Sequence, residues 1–133
     1  MKIEISNGEL LDKVSIVKLK MEYIGDTEKL KHLRKEDSVL VSHMMELTES
    51  LGDKEAEAKY LGLYDQLYAV NEKLWHLEDR IRDKERRNVF DQDFIEIARS
   101  IYYVNDERAK LKRQINELTQ SSLYEVKSYQ EYQ

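Results

Sequence analysis

Apolar residues recur along this chain at alternating steps of four and three. The first run takes Leu10, Val14, Val17, Met21 and Ile24. The second takes Leu30, Leu33, Asp37, Leu40, Met44, Leu47 and Leu51. The third takes Tyr60, Leu63, Leu67, Val70, Leu74, Leu77 and Ile81. The fourth takes Phe94, Ile97, Ile101, Val104, Arg108, Leu111, Ile115 and Leu118. A 3.5-residue repeat keeps one seam of each helix turned toward its neighbours. The pattern predicts an all-α, antiparallel four-helix, coiled-coil-like bundle with helices over residues 8–24, 27–51, 54–88 and 92–120.

Polar residues punctuate the runs. Ser6 and Glu9 have capping-box spacing. Gly25 and Gly52 stand where a left-handed residue ends a helix, and Asp26 and Asp53 follow as N-caps. Phe90, Asp91 and Ile95 have the spacing of a hydrophobic staple around a cap. Residues 1–133 read as one helical domain, with 1–6 and 121–133 as extended terminal segments. Lys2 to Ile5 alternates, as does Leu123 to Lys127, and a short β-ribbon joining the termini is an open expectation.

Short connections make successive helices antiparallel, and this sets a register. In helices 3 and 4 it matches Ile81 with Ile97, Leu77 with Ile101, Leu74 with Val104 and Leu63 with Ile115. One layer then holds Val17, Asp37, Leu74 and Val104, and the next Val14, Leu40, Val70 and Arg108. Asp37 and Arg108 are the charged exceptions on the seam. Either they form a buried ion pair, since a lone charge there is costly, or both reach the rim. Asn71 and Asn105 lie nearly level on helices 3 and 4. They read as register-setting hydrogen bonds or as walls of a polar pocket shared with Arg108, Glu78 and Lys112.

Some apolar positions fall off the seam: Ile16, Leu19 and Tyr23 on helix 1, Tyr64, Tyr68 and Trp75 on helix 3, and Tyr102 on helix 4. A second stripe asks for a cover. A second protomer, another protein or the tail tyrosines Tyr124, Tyr129 and Tyr132 could supply one.

Composition narrows the function classes. The 133 residues include no proline, no cysteine and four glycines, and the net charge is −5. Long helices with solvated outer faces have this composition. No disulfide or thiolate metal site can form. The acidic balance argues against a duplex nucleic-acid binder. Residues 1–5 lack the apolar core of a signal peptide and no stretch reaches membrane-span length, so the expected location is cytoplasmic, in a bacterial or phage-infected cell.

Catalytic signatures are sparse. His32, His43 and His76 lack the spacing of helix-borne metal ligands, so neither metal nor cofactor is expected. No glycine-rich phosphate loop appears. Arg80, Arg82, Lys84, Arg86 and Arg87 cluster near one hairpin tip, diluted by Asp79, Asp83 and Glu85.

Several strings resemble an uncharacterised family of bacterial and tailed-phage proteins. They are residues 3–13 (IEISNGELLDK), 71–75 (NEKLW) running into 78–82 (EDRIR), 105–109 (NDERA) running into 111–116 (LKRQIN), and 125–129 (EVKSY). The resemblance spans nearly the whole chain. It implies that the Asn/Trp and Asn/Arg strings are family features and assigns them no role.

These readings favour a non-catalytic helical interaction or accessory protein that associates with itself or another protein. The alternative is anionic-metabolite binding, or chorismate-mutase-like chemistry, in the polar layers. There Arg108 points inward and Lys18, Arg34 and Lys112 flank it. The candidate polar cluster is therefore Asp37, Asn71, Glu78, Asn105, Arg108 and Lys112.

Overall fold

The computed structural model describes residues 1–128 and 131–132, so Tyr129 lies outside the described residues. Its helices are α1 (Asn7–Tyr23), α2 (Thr27–Ser50), α3 (Lys54–Arg86) and α4 (Gln92–Leu118). Each ends within two residues of the predicted bounds. The caps act as the sequence suggests, with Ser6, Asp26, Asp53 and Asp91 accepting from backbone N–H groups of the first turns.

The helix ends differ in detail. α1 stops at Ile24 in an extended conformation, so Gly25 has no left-handed turn to make. Gly52 does make one, at φ +65°. After α3 and α4 the left-handed residues are Asn88 and Gln120, at φ 56° and 52°. The N–H of Val89 then donates to the Lys84 carbonyl at 2.9 Å, and that of Ser121 to the Asn116 carbonyl at 2.9 Å. Both are Schellman closures without glycine. The two predicted ends, 88 and 120, fall on these turning residues themselves.

The closely packed helix pairs are α3–α4, α1–α2, α1–α3 and α1–α4. α1 is therefore the shared partner. It lies in the groove of the α3–α4 hairpin and carries α2 on its other side. Its buried residues are Gly8, Leu11, Asp12, Val14, Ser15, Val17 and Leu19. At 100° per residue these cover far more than one seam. Leu11, Tyr60, Leu67, Leu111 and Ile115 form the main core, and Met44, Leu47 and Leu51 of α2 reach its edge. Leu74, Leu77, Ile97 and Val104 form a second cluster further along the hairpin. The four-way layers expected from the register do not close, because α2 follows α1.

No strand forms among the described residues, so the expected ribbon is not made. The termini do meet, through side chains. Ser121 Oγ accepts from the Asn7 N–H at 3.0 Å, Asn7 Nδ2 donates to Thr119 Oγ1 at 2.9 Å, and Ser122 Oγ donates to Glu4 at 2.5 Å. These bonds compete with a backbone ladder. The C-terminal segment then runs back along α4, from Asn116 past Lys112 to Asp106. No described helix is long and apolar enough to cross a membrane.

Two glycines behave oppositely. A Cβ on Gly8 would lie 2.4 Å from the Lys112 carbonyl oxygen, whereas one on Gly62 would meet nothing within 4 Å. Gly8→Ala is expected to lower stability by about 1–3 kcal/mol, as overpacking does. Gly62→Ala is expected to raise it by up to about 1 kcal/mol, the ordinary helix preference for alanine. Chemical denaturation of the two variants checks both signs.

Candidate functional site

On α1, Gly8, Asp12, Ser15 and Leu19 follow one another at steps of four, three and four. All four are buried. They make a second heptad stripe, polar at its centre, that faces α4 and α3. The Asp12 side chain is only 1% exposed. Arg108 Nε donates to its Oδ1 at 2.8 Å and Arg108 Nη2 to its Oδ2 at 2.5 Å. Asn71 Nδ2 donates to the same Oδ1 at 2.9 Å and to Ser15 Oγ at 2.7 Å. The Ser15 hydroxyl donates to the Asp12 carbonyl at 2.7 Å. One carboxylate thus ties three helices together.

The next level up is also ionic. Lys112 Nζ donates to Glu9 at 2.7 Å and to Glu125 at 2.8 Å, with Asp12 at 4.0 Å. Burial works against the charge on Lys112. The bonds to Glu125 and Glu9 outweigh it, with help from Asp12, and its pKa is raised. Lys112 and Lys127 together hold the Glu125 carboxyl down to about 2. Above this pair, the Gly8 N–H donates to Asn116 Oδ1 at 2.6 Å. Ser6 takes one half of the capping box, and Glu9 turns instead to Lys112.

The six polar candidates separate. Arg108, Asn71 and Glu78 share a small pocket at the α1–α3–α4 junction. Arg108, Lys112 and the exposed Asn105 line a groove of about 970 Å³ between α4 and the C-terminal segment. Asp37 belongs to neither. Lys18 Nζ donates to Asp37 Oδ2 at 3.1 Å and lies 3.0 Å from Oδ1. The Asp37–Arg108 pair expected from the register is therefore not formed. α2 sits on the far side of α1, and Asp12 meets Arg108 from the near side.

The off-seam apolar residues mostly join α1 to α3. Leu19 is 1% exposed, inside the chain's own core. Ile16 is half-buried. Tyr23 stacks on Trp75 with centroids 5.5 Å apart, and its hydroxyl donates to Glu72 at 3.1 Å. The Tyr68 hydroxyl donates to Glu22 at 2.7 Å, a bond that pushes its pKa well up. Tyr64 is half-buried, and burial followed by the nearby Asp37 raises it to about 12. Tyr102 packs on Tyr103 and Tyr132 of the returning segment. At the hairpin tip each cluster cation except Lys84 contacts one carboxylate, and Lys84 contacts Asp91 and Asp93.

The polar groups of this junction are largely engaged with one another. Asp12 has its oxygens engaged by Arg108 and Asn71, so it offers no base. Ser15 directs its proton to a backbone carbonyl, so it offers no nucleophile. No group of three or more His, Cys, Asp or Glu residues among those described could hold a metal ion. Asp12 is not legible from the seam, because it lies off the 10–14–17–21–24 repeat. The 8–12–15–19 spacing was the available signal.

Removing Arg108 should leave a buried carboxylate unpaired. Arg108→Leu is expected to cost about 3–5 kcal/mol by chemical denaturation. In a cycle with Asp12→Asn the losses should be non-additive by roughly 0.5–3 kcal/mol, whereas with Asp37→Leu they should add. Glu125 gives a pH signature. Its folded value lies below the ordinary 4.5, so its stabilising bonds are complete above that pH and are lost as the pH falls toward 2. NMR titration should place its midpoint near the lower value, and Lys112→Met should raise it.

No curated protein and no solved structure matches the chain. A family model matches residues 1–132, and the chain belongs to that family, the family of unknown function DUF6165.

Proposed function

We propose that this protein is a non-catalytic helical interaction module that self-associates through α2. The observation that carries this reading is the incomplete cover of the α2 seam. Of its 24 residues only Leu33 is buried, at 8% exposure. Leu30, Leu40, Val41, Met44 and Leu47 are half-buried, and Met45 is 59% exposed. A helix laid against this open flank would complete the arrangement that α1 begins.

Charge favours a second copy as that helix. Residues 27–35 contain Lys29, Lys31, Arg34 and Lys35 against Glu28 alone. Residues 36–50 contain Glu36, Asp37, Glu46 and Glu49 and no lysine or arginine. Two α2 helices related by a two-fold axis run antiparallel, which sets the basic half of each against the acidic half of the other. The same pairing brings Leu30 of one copy toward Met45 of its partner.

Light scattering in line with size exclusion should give twice the 15.9 kDa chain mass at tens of micromolar. Met45→Glu should yield monomer with an unchanged helical spectrum. Lys29→Glu with Lys31→Glu should do the same, and adding Glu46→Lys and Glu49→Lys should restore the dimer. A wild-type monomer would sink self-association. A Met45→Glu dimer would move it to another face.

A further inference from the structure

We infer that the pocket at the junction of α1, α3 and α4 binds a small zwitterionic aminocarboxylate, of the size of a free amino acid. The pocket is about 270 Å³. At roughly 30 Å³ for each water displaced, it holds about nine non-hydrogen atoms. That is smaller than a nucleotide or cofactor site and the size of a branched amino acid such as leucine.

Its lining has two characters. Ile16, Leu19, Leu74 and Trp75 supply apolar surface. Leu19 and Leu74 are buried, and Tyr23 stacks on the Trp75 indole, which fixes the ring. The polar groups are Arg108, Asn71, Glu78 and Asp79. Arg108 spends Nε and Nη2 on Asp12, which leaves Nη1 outside that pair. Asn71 is 5% exposed and spends amide donors on Asp12 and Ser15, which leaves its carbonyl oxygen.

The charges then decide the ligand. The Arg108 cation is already matched by Asp12, so the pocket is not a site for a dianion. Its Nη1 donors can still take one carboxylate group. Glu78 and Asp79 lack cationic partners within the pocket. Glu78 meets Arg82 on the surface at 3.4 Å. With the Asn71 carbonyl they accept from an ammonium, to which the Trp75 face adds attraction. A ligand carrying one carboxylate, one ammonium and an apolar body satisfies all of these groups together. A ligand lacking either charge leaves one set facing it unpaired.

The pocket contains the chain's only tryptophan, so its fluorescence reports binding directly. Wild-type protein is titrated with L-leucine and L-phenylalanine, and in parallel with N-acetyl-L-leucine and L-leucinamide. The zwitterions should give a saturable fluorescence change and raise the melting temperature, since they bind the folded state. Each blocked form should bind at least about tenfold more weakly. Glu78→Gln with Asp79→Asn, both at the surface rim, should weaken the zwitterions by a similar factor without changing the melting temperature of the free protein. The inference is overturned if neither zwitterion gives a saturable change at millimolar concentration. It is equally overturned if the blocked forms bind as well, or if the rim variant binds unchanged. The result is independent of the α2 interface.

Discussion

A carboxylate in the middle of a helix bundle has to be satisfied by something, and here the demand is made by Asp12 of α1. Taking one charge from water costs several kcal/mol, and breaking its pair leaves that cost uncompensated. Arg108 meets both oxygens from α4, and Asn71 adds a donor from α3. These bonds have directions that apolar packing lacks. They set the rotation of α1 about its own axis, and its height against α4, to within a hydrogen bond. Gly8 adds a second condition at the same interface, because α1 can approach Lys112 so closely only where it has no side chain. The polar stripe therefore specifies how α1 sits, while the leucines around it supply most of the burial.

Much of this fold could be read from spacing. Long helices with a strict four-three repeat leave little ambiguity in type, and the aspartate caps mark their starts. The antiparallel register also describes α1, since Lys18 meets Asp37 and Asp12 meets Arg108 close to where matched numbering places them. The structure departs from two sequence expectations. One is that a bundle helix buries one seam, so that a second stripe needs a cover from outside the four helices. α1 has neighbours on three sides, and its buried arc includes glycine, aspartate and serine, which an apolar count passes over. The other is that four seams imply four equivalent helices. α1 fills the α3–α4 groove by itself, and no groove position is left for α2.

The same geometry explains why the charged seam exceptions did not pair. Asp37 and Arg108 occupy neighbouring levels, but α1 stands between their helices. Sequence register fixes height along the bundle and says nothing about which helix is diagonal to which. Height alone leaves both the pair and the rim open to them. Once Asp12 is recognised as inward, Arg108 is already matched. Asp37 is then served by Lys18 at the α1–α2 edge, where one carboxylate oxygen is left without a hydrogen bond.

The placement of α1 also separates what the chain secures internally from what it leaves open. Where α1 faces α3 and α4, the polar groups find partners in the chain: Glu9 with Lys112, Ser15 with Asn71, Glu22 with Tyr68, and Tyr23 with Glu72. The returning C-terminal segment adds Glu125 to the same set. These bonded groups resist exchange with an outside macromolecule, because each new contact at them must first break an internal one. α2 is in the opposite state. Its seam residues are half-covered, and its flanking charges are sorted by sign along the helix. Association there would bury apolar surface without undoing the buried ion pair on which the other three helices depend. The tyrosine-rich flank of α1 and α3 looks adhesive by composition. Its Tyr23 and Tyr68 hydroxyls are already bonded to carboxylates of the same chain, and that favours α2 as the proposed face for a partner.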